Sequence, residues 1–289
     1  KYNYNMKNIP LFKVHMPQSV KEPLLETLFS GFIGQGPKVD EFEKDLGDYF
    51  QNPNVLTVNS GTSALQLALR LANVGVGDEV ISTPMTCTAS NMPVLSAGAK
   101  IVWADVDPVS GLISVESIKA KITSKTKAIV MVHFGGIPCD IDGINELAKE
   151  HGIKTIEDAA HAFGSEYKGR KIANHSDFVM FSLQAIKHIT TVDGGLLFCK
   201  TKEDLKRGKL LRWYGIDRES PRKDFRCEEN IHEYGYKFHM NDVNATIGIE
   251  QLKYADKLIS KHMQNAKKYD DQLSSVNKIS LIPRNEFSL

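Results

Sequence analysis

Two kinds of apolar pattern alternate along the first two thirds of the chain. Short runs of β-favouring residues fall at 55–58, 79–83, 100–104, 128–132, 154–157, 178–181 and 195–198. Between them, segments such as 63–71 and 141–150 carry apolar residues at three- and four-residue spacing, with Gly152 placed to stop the second just before the next run. Strands alternating with helices over short connections predict an α/β domain whose mainly parallel sheet is covered by helices. After Trp213 the pattern changes to a polar, charge-dense stretch running to Glu233, where a mobile or interface loop is expected. A long amphipathic helix is predicted from about 241 to 273, and 279–289 reads as the start of another strand and loop. The expected organisation is therefore a large domain over 1–240, with 241–289 opening a small C-terminal domain that the chain carries only in part. No internal repeat or low-complexity tract is visible.

Composition narrows the function without naming it. The 36 basic and 35 acidic residues nearly cancel, so no overall field would hold the protein on nucleic acid or an anionic membrane, and any phosphate must be bound locally. Cys87, Cys139, Cys199 and Cys227 are far apart, with no CxxC pair and no His cluster at zinc-ligand spacing. Neither a disulfide framework nor a metal site is expected, and a reducing cytoplasm is the simplest home. Residues 1–10 are polar, and no stretch approaches the roughly 18 apolar residues of a spanning helix. The reading is of a protein neither exported nor membrane-bound.

Three segments could carry chemistry. The run Asn59-Ser60-Gly61-Thr62-Ser63-Ala64 follows a strand and opens a helix, which offers backbone N–H groups and the positive end of the helix dipole to an anion such as phosphate. It equally suits a plain capped helix with Thr62 or Ser63 as N-cap, and it lacks both the Lys of a P-loop and the spacing of a dinucleotide fingerprint. Glu157-Asp158 ends a strand at the edge where open α/β sheets bind ligands. An acidic residue there either caps the next segment or faces a ligand such as a pyridine nitrogen, which it would keep protonated. Lys187 lies between another strand and the turn Asp193-Gly194-Gly195, with Phe181, Leu183 and Ile186 as apolar neighbours. A lysine used as a nucleophile needs such desolvation so that its amine is partly neutral.

Taken in order, phosphate loop, strand-end Asp and downstream Lys resemble a fold-type I pyridoxal-phosphate enzyme. The local strings are similar to those of the DegT/DnrJ/EryC1/StrS sugar aminotransferases: SGTSALQLAL (60–69), TPMTCTASN (83–91), VWADVDP (102–108), HFGGIPCDIDGI (133–144), IEDAAHAFGSEYKGRKI (156–172), FSLQAIKHITTVDGGLL (181–197) and GYKFHMNDVNATIGIEQL (235–252). The pattern begins in the segment 31–50, and the resemblance covers nearly the whole chain. It implies a large domain with a seven-stranded sheet, pyridoxal 5'-phosphate as cofactor and pyridoxamine 5'-phosphate as intermediate. By position, Lys187 would form the Schiff base and Asp158 would pair with the pyridine nitrogen. His161 would donate to the cofactor's phenolic oxygen, while Gly61, Thr62, Ser63 and Ser182 would cradle its phosphate. Lys237 matches a position that reaches the phosphate from the neighbouring subunit, which implies a homodimer with shared active sites. One departure is Cys87, which stands where most members stack an aromatic residue on the ring; sulfur contacts a π-face more weakly and fills less volume.

The activity so implied is ping-pong transfer of an amino group from an amino acid, L-glutamate, to a nucleotide-diphosphate keto-sugar. Within the family, the alternative is a pyridoxamine-phosphate-dependent dehydratase with a His in place of the Lys, to which His188 draws notice. Counting back from Gly194-Gly195 puts the anchor on Lys187. From another class, a cofactor-binding regulatory protein without turnover would share the fold but would have no use for Lys187. The stretch from Arg212 to Glu233 carries aromatic and basic residues suited either to recognising sugar or phosphate or to an ordinary charged surface.

Overall fold

The computed structural model describes residues 10–221 and 231–282. Cys227, part of the charged stretch (222–230) and most of the expected terminal strand (283–289) lie outside the described residues, as do residues 1–9. Residues 279–282 form no strand.

All seven runs read as strands form strands of one sheet. Its members in chain order are β1 (Val55–Val58), β2 (Glu79–Ser82), β3 (Lys100–Trp103), β4 (Thr126–Val132) and β5 (Lys154–Asp158), followed, after a separate two-stranded hairpin of β6 (Glu166–Tyr167) and β7 (Arg170–Lys171), by β8 (Phe178–Ser182) and β9 (Gly195–Cys199). The order across the sheet is β1-β9-β8-β5-β4-β2-β3. Neighbours from β8 to β3 are parallel, and β9 runs antiparallel between β8 and β1. Reversal at β9 leaves β1 pointing with the parallel set. The carboxyl ends of six strands and the beginning of β9 therefore share one edge.

The helices are α1 (Lys21–Phe29), α2 (Pro37–Phe50), α3 (Gly61–Leu71), α4 (Thr88–Ser96), α5 (Val115–Lys121), α6 (Ile141–His151), α7 (Lys202–Arg212), α8 (Asp242–Leu252) and α9 (Ala255–Leu273). Alternation along the strands sorts the core into two layers. Val55, Ile129, Met131, Val179, Phe181 and Phe198 pack on the side of α2, α6 and α8, whereas Leu56, Val58, Ala128, Val130, Ile156, Phe178 and Met180 pack on the side of α3, α4 and α7. Phe50 anchors the first layer, its ring about 5 Å from those of Phe163, Phe181 and Phe198.

Two expectations are corrected. The helix after β1 is capped by neither Thr62 nor Ser63; Ser60 is the N-cap, its hydroxyl oxygen accepting the Ser63 N–H at 3.1 Å. The helix expected over 241–273 is two helices. α8 docks on α2 so closely that a Cβ on Gly248 would stand 2.4 Å from the Phe42 ring, while α9 packs through Ile259 onto Gly164. One straight helix does not satisfy both docking surfaces, and the chain breaks at Lys253-Tyr254 although no Gly or Pro marks the place. Gly152 ends α6 in the left-handed region as expected, with φ 66°.

The N-terminus of α2 is capped from another helix. Asp242, on α8 and 1% exposed, accepts the N–H groups of Gly36 (2.8 Å), Val39 (3.1 Å) and Lys38 (3.2 Å). A buried carboxylate holding three first-turn donors unites helix capping with charge-assisted hydrogen bonding. Replacing Asp242 by Ala takes the carboxylate from all three donors, leaving Val39 only its bond to the Gly36 carbonyl, and we expect a loss of about 1–3 kcal/mol, read as a lower urea midpoint at unchanged slope.

Candidate active site

Strand parity selects what faces the open edge. On β5, Ile156 and Asp158 point to the α3/α4 layer and Glu157 to the other. Asp158 is 3% exposed, and its carboxylate is held at both oxygens: Oδ2 accepts the Ser90 hydroxyl at 2.6 Å and Oδ1 the Ala160 N–H at 3.1 Å. Since the Ser90 proton is spent on Asp158, the neighbouring Thr86 hydroxyl, 2.7 Å away, donates to Ser90. Neither Thr86 nor Ser90 was singled out from sequence. Only the approach of α4 to the end of β5 reveals them.

At the first turn of α3, the Gly61 and Thr62 N–H groups have no intrahelical acceptor. The loop lies against the ends of two other strands. A Cβ on Gly61 would stand 3.0 Å from Ser182 Cβ, and one on Gly195 only 2.5 Å from the carbonyl of Ser60. Gly61, Thr62 and Ser182 are thus brought together. Ser63 is in the same turn, but its hydroxyl donates to Asn59 Oδ1 at 2.7 Å and its N–H to Ser60. Lys237 lies beside this loop along the main chain, where Phe238 O accepts the Asn59 N–H at 2.7 Å. Its side chain is exposed.

Lys187 sits in the loop between β8 and β9. Leu183 closes that loop through bonds with Gly194 and Thr191, and the Asn244 amide on α8 donates to the carbonyls of Thr191 (2.8 Å) and Asp193 (2.7 Å). Burial holds the Lys187 amine below the ordinary lysine range, while the charges of Asp158 and Cys87 act in the opposite direction. The expected apolar neighbours account for little of this burial: Leu183 is buried, but Ile186 is 51% exposed and Phe181 belongs to the opposite layer. Cys87 is exposed just before α4, on the same edge.

His161 follows β5. Its Nδ1 accepts the Gly135 N–H at 3.4 Å, so the ring proton is assigned to Nε2. Burial lowers its pKa, Lys187 adds to that and Asp158 opposes it. His188, next to Lys187, turns to α9, its ring centroid 5.1 Å from that of His262. Burial and the nearby cationic groups push it down to about 4.

In the charged stretch, Arg212 is not available for a ligand. It is 3% exposed, paired with Glu43 and bonded to Thr57 O at 3.0 Å. A cavity of about 640 Å³ opens beside α2 and α7, lined in part by Lys206, Lys209 and Arg218, and none of the residues expected to hold a cofactor lines it. Among the described residues, no cluster suited to a metal is present, and no helix is long and apolar enough to cross a membrane.

Comparison with known proteins gives the family and the fold. Residues 16–287 match the model of the DegT/DnrJ/EryC1/StrS aminotransferase family. The chain is 33% identical over 277 residues to the UDP-4-amino-4-deoxy-L-arabinose–oxoglutarate aminotransferase of Shewanella sediminis, covering 94% of this chain and 71% of that protein. The crystal structure of a sugar aminotransferase from Micromonospora echinospora superposes with a TM-score of 0.93 at 34% identity, over 98% of this chain and 78% of that one. A sugar aminotransferase of Streptococcus pneumoniae, solved in pyridoxal-phosphate and pyridoxamine-phosphate forms, superposes at 0.89 with 31% identity, over 97–98% of this chain and 76% of that one.

The opposing influences on Lys187 give a signed expectation. Its reactivity toward an amine-selective reagent, followed by peptide mass spectrometry against pH, should have a midpoint below 10.5. Asp158→Asn removes a charge that favours the ammonium form, so the midpoint should fall further. An upward shift would remove Asp158 from the electrostatic environment of Lys187.

Proposed function

The chain belongs to the DegT/DnrJ/EryC1/StrS aminotransferase family, pyridoxal-phosphate enzymes of amino-sugar biosynthesis, and from that premise we propose that it moves an amino group from L-glutamate to a nucleotide-linked keto-deoxy-sugar. The observation that carries the reading is the meeting, at one sheet edge, of a first-turn anion site, a buried carboxylate and a half-buried lysine.

The residues present fit the cofactor. Gly61 and Ser182 are in van der Waals reach, so the α3 N–H groups and the Ser182 hydroxyl would hold the phosphate, with Thr62 and Ser63 completing the turn. Asp158 would hold a proton on the ring nitrogen, its carboxylate fixed by Ser90 and Ala160. His161 Nε2–H would donate to the phenolic oxygen, because Gly135 occupies Nδ1. Cys87 would stand over the ring where relatives of this type carry an aromatic side chain. When bound, pyridoxal phosphate supplies an aldehyde that captures amines and a ring that takes up the electron pair left at Cα.

Lys187 then has two tasks. Its Nζ would anchor the cofactor, and the freed amine would serve as the base and acid that moves a proton from the donor Cα in one half-reaction and to the sugar carbon in the other. Burial favours the neutral amine that both tasks require. Lys237, exposed beside the Asn59–Gly61 loop, would reach the phosphate site of a second subunit in a homodimer. The dehydratase alternative needs a His as base, and His188 is instead directed at His262 on α9.

The test is spectroscopic. Protein loaded with the cofactor should show a visible absorption band that is lost on adding glutamate, with 2-oxoglutarate appearing in equal amount, and Lys187→Ala should show neither band nor product. A bound cofactor that no amino donor alters would sink the transaminase reading.

A further inference from the structure

β5 ends in two buried carboxylates, and the scheme above uses only one. Glu157, 0% exposed, faces the α2/α6 layer; its Oε2 lies 2.8 Å from Nε2 of the equally buried His133, and its Oε1 has no partner. The Cys139 N–H donates to His133 Nδ1 at 3.1 Å. Against burial, Cys139 and Glu157 together pull the ring's pKa upward, but the Cys139 N–H already fills Nδ1, where a second ring proton would oppose one N–H to another, and this geometry overrides that pull. The imidazole is therefore neutral and donates through Nε2 to Glu157.

The main chain of His133 connects this pair to the cofactor site. Its N–H donates to the Asp158 carbonyl at 3.1 Å, and its carbonyl accepts the Gly136 N–H at 3.0 Å. The turn from 133 to 139 then passes to the open edge, where the Gly135 N–H meets His161 Nδ1. Gly136, at φ 86°, lies so close that a Cβ would stand 2.8 Å from the His161 carbonyl, and its own oxygen accepts the Ser165 hydroxyl at 2.9 Å. Two imidazoles thus hold one turn, His133 from within the α2/α6 layer and His161 at the open edge.

We propose that His133 is a positioning residue for the cofactor site, its ring closing the 133–139 turn so that Gly135 holds His161 in the Nε2–H form and presents it beside Asp158 and Lys187. The proposal deepens the functional reading above and rests on it for its catalytic meaning, but the geometry it asserts belongs to the protein without cofactor. Glu157 fixes the His133 ring, His133 fixes the turn and the turn fixes His161.

Two conservative variants separate the parts. His133→Asn can still accept the Cys139 N–H but leaves Glu157 without its donor; His133→Gln can still donate to Glu157 but not accept from Cys139. Histidine ¹⁵N spectra of the cofactor-free protein read the His161 tautomer and titration, to which Lys187 and Asp158 also contribute. In His133→Gln, His161 should lose its preference for Nε2–H and its titration should move up toward 6.5, and cofactor affinity should fall about tenfold. His133→Asn should lower the melting temperature yet keep the His161 spectrum; combined with Glu157→Gln, which removes the unpaired carboxylate, it should regain stability. An unchanged His161 tautomer and titration in folded His133→Gln overturns the proposal. Failure of the unmodified protein to take up the cofactor would overturn the functional reading instead, while the ¹⁵N spectra still decide the role of His133.

Discussion

A carboxylate can be buried only where donors meet it, and β5 ends in two. Ionised carboxyl groups away from water are strongly disfavoured unless hydrogen-bonded or paired. Strand alternation sends Asp158 to one layer and Glu157 to the other, so each layer must supply partners of its own. On the α3/α4 side these are the hydroxyl of Ser90 and the N–H of Ala160; on the α2/α6 side it is His133. The elements around the strand end are arranged by this need. α4 must approach to deliver Ser90, and the segment after β4 must turn sharply to deliver His133.

The same constraint explains how one lysine can be both buried and near a negative charge. Desolvation and Asp158 act oppositely on the Lys187 amine, and desolvation is the larger influence. A less buried lysine under the influence of the same carboxylate would stay firmly protonated. The β8–β9 loop that carries Lys187 is closed through Leu183 at its neck and held by Asn244 across it. Here local sequence and tertiary packing do different work. The residue type is local, but the closure of its loop draws on α8.

What could be read from sequence follows that division. The seven strands were legible because each is a short run bounded by turn signals, and the strand-end position of Asp158 followed from the end of its run. The order Gly61, Asp158, Lys187 was legible for the same reason. Ser90, His133, Asn244 and Asp242 were not, because each acts through a partner tens to hundreds of residues away; Asp242 and Gly36, for instance, are separated by 206 positions. The break between α8 and α9 was invisible because it answers two docking surfaces and no local breaker. Ser60 was missed as N-cap since three adjacent residues, Ser60, Thr62 and Ser63, are all competent caps, and only the position where β1 ends decides among them.

The loop carrying Lys187 is also where the two C-terminal helices meet the open edge of the sheet. Asn244 of α8 holds its carbonyls, and His262 of α9 packs against the ring of His188. His188 is pushed down to about 4 in the folded chain from 6.5, so between those values the unfolded chain binds the extra proton and folding weakens as pH falls. Protonating His188 would place a cation beside Lys187, His161 and His262, the groups that already lower it. A neutral His188 therefore favours the contact between α9 and the Lys187 loop. The residue that suggested a different reaction in the sequence is better understood as part of the contact that joins this loop to α9.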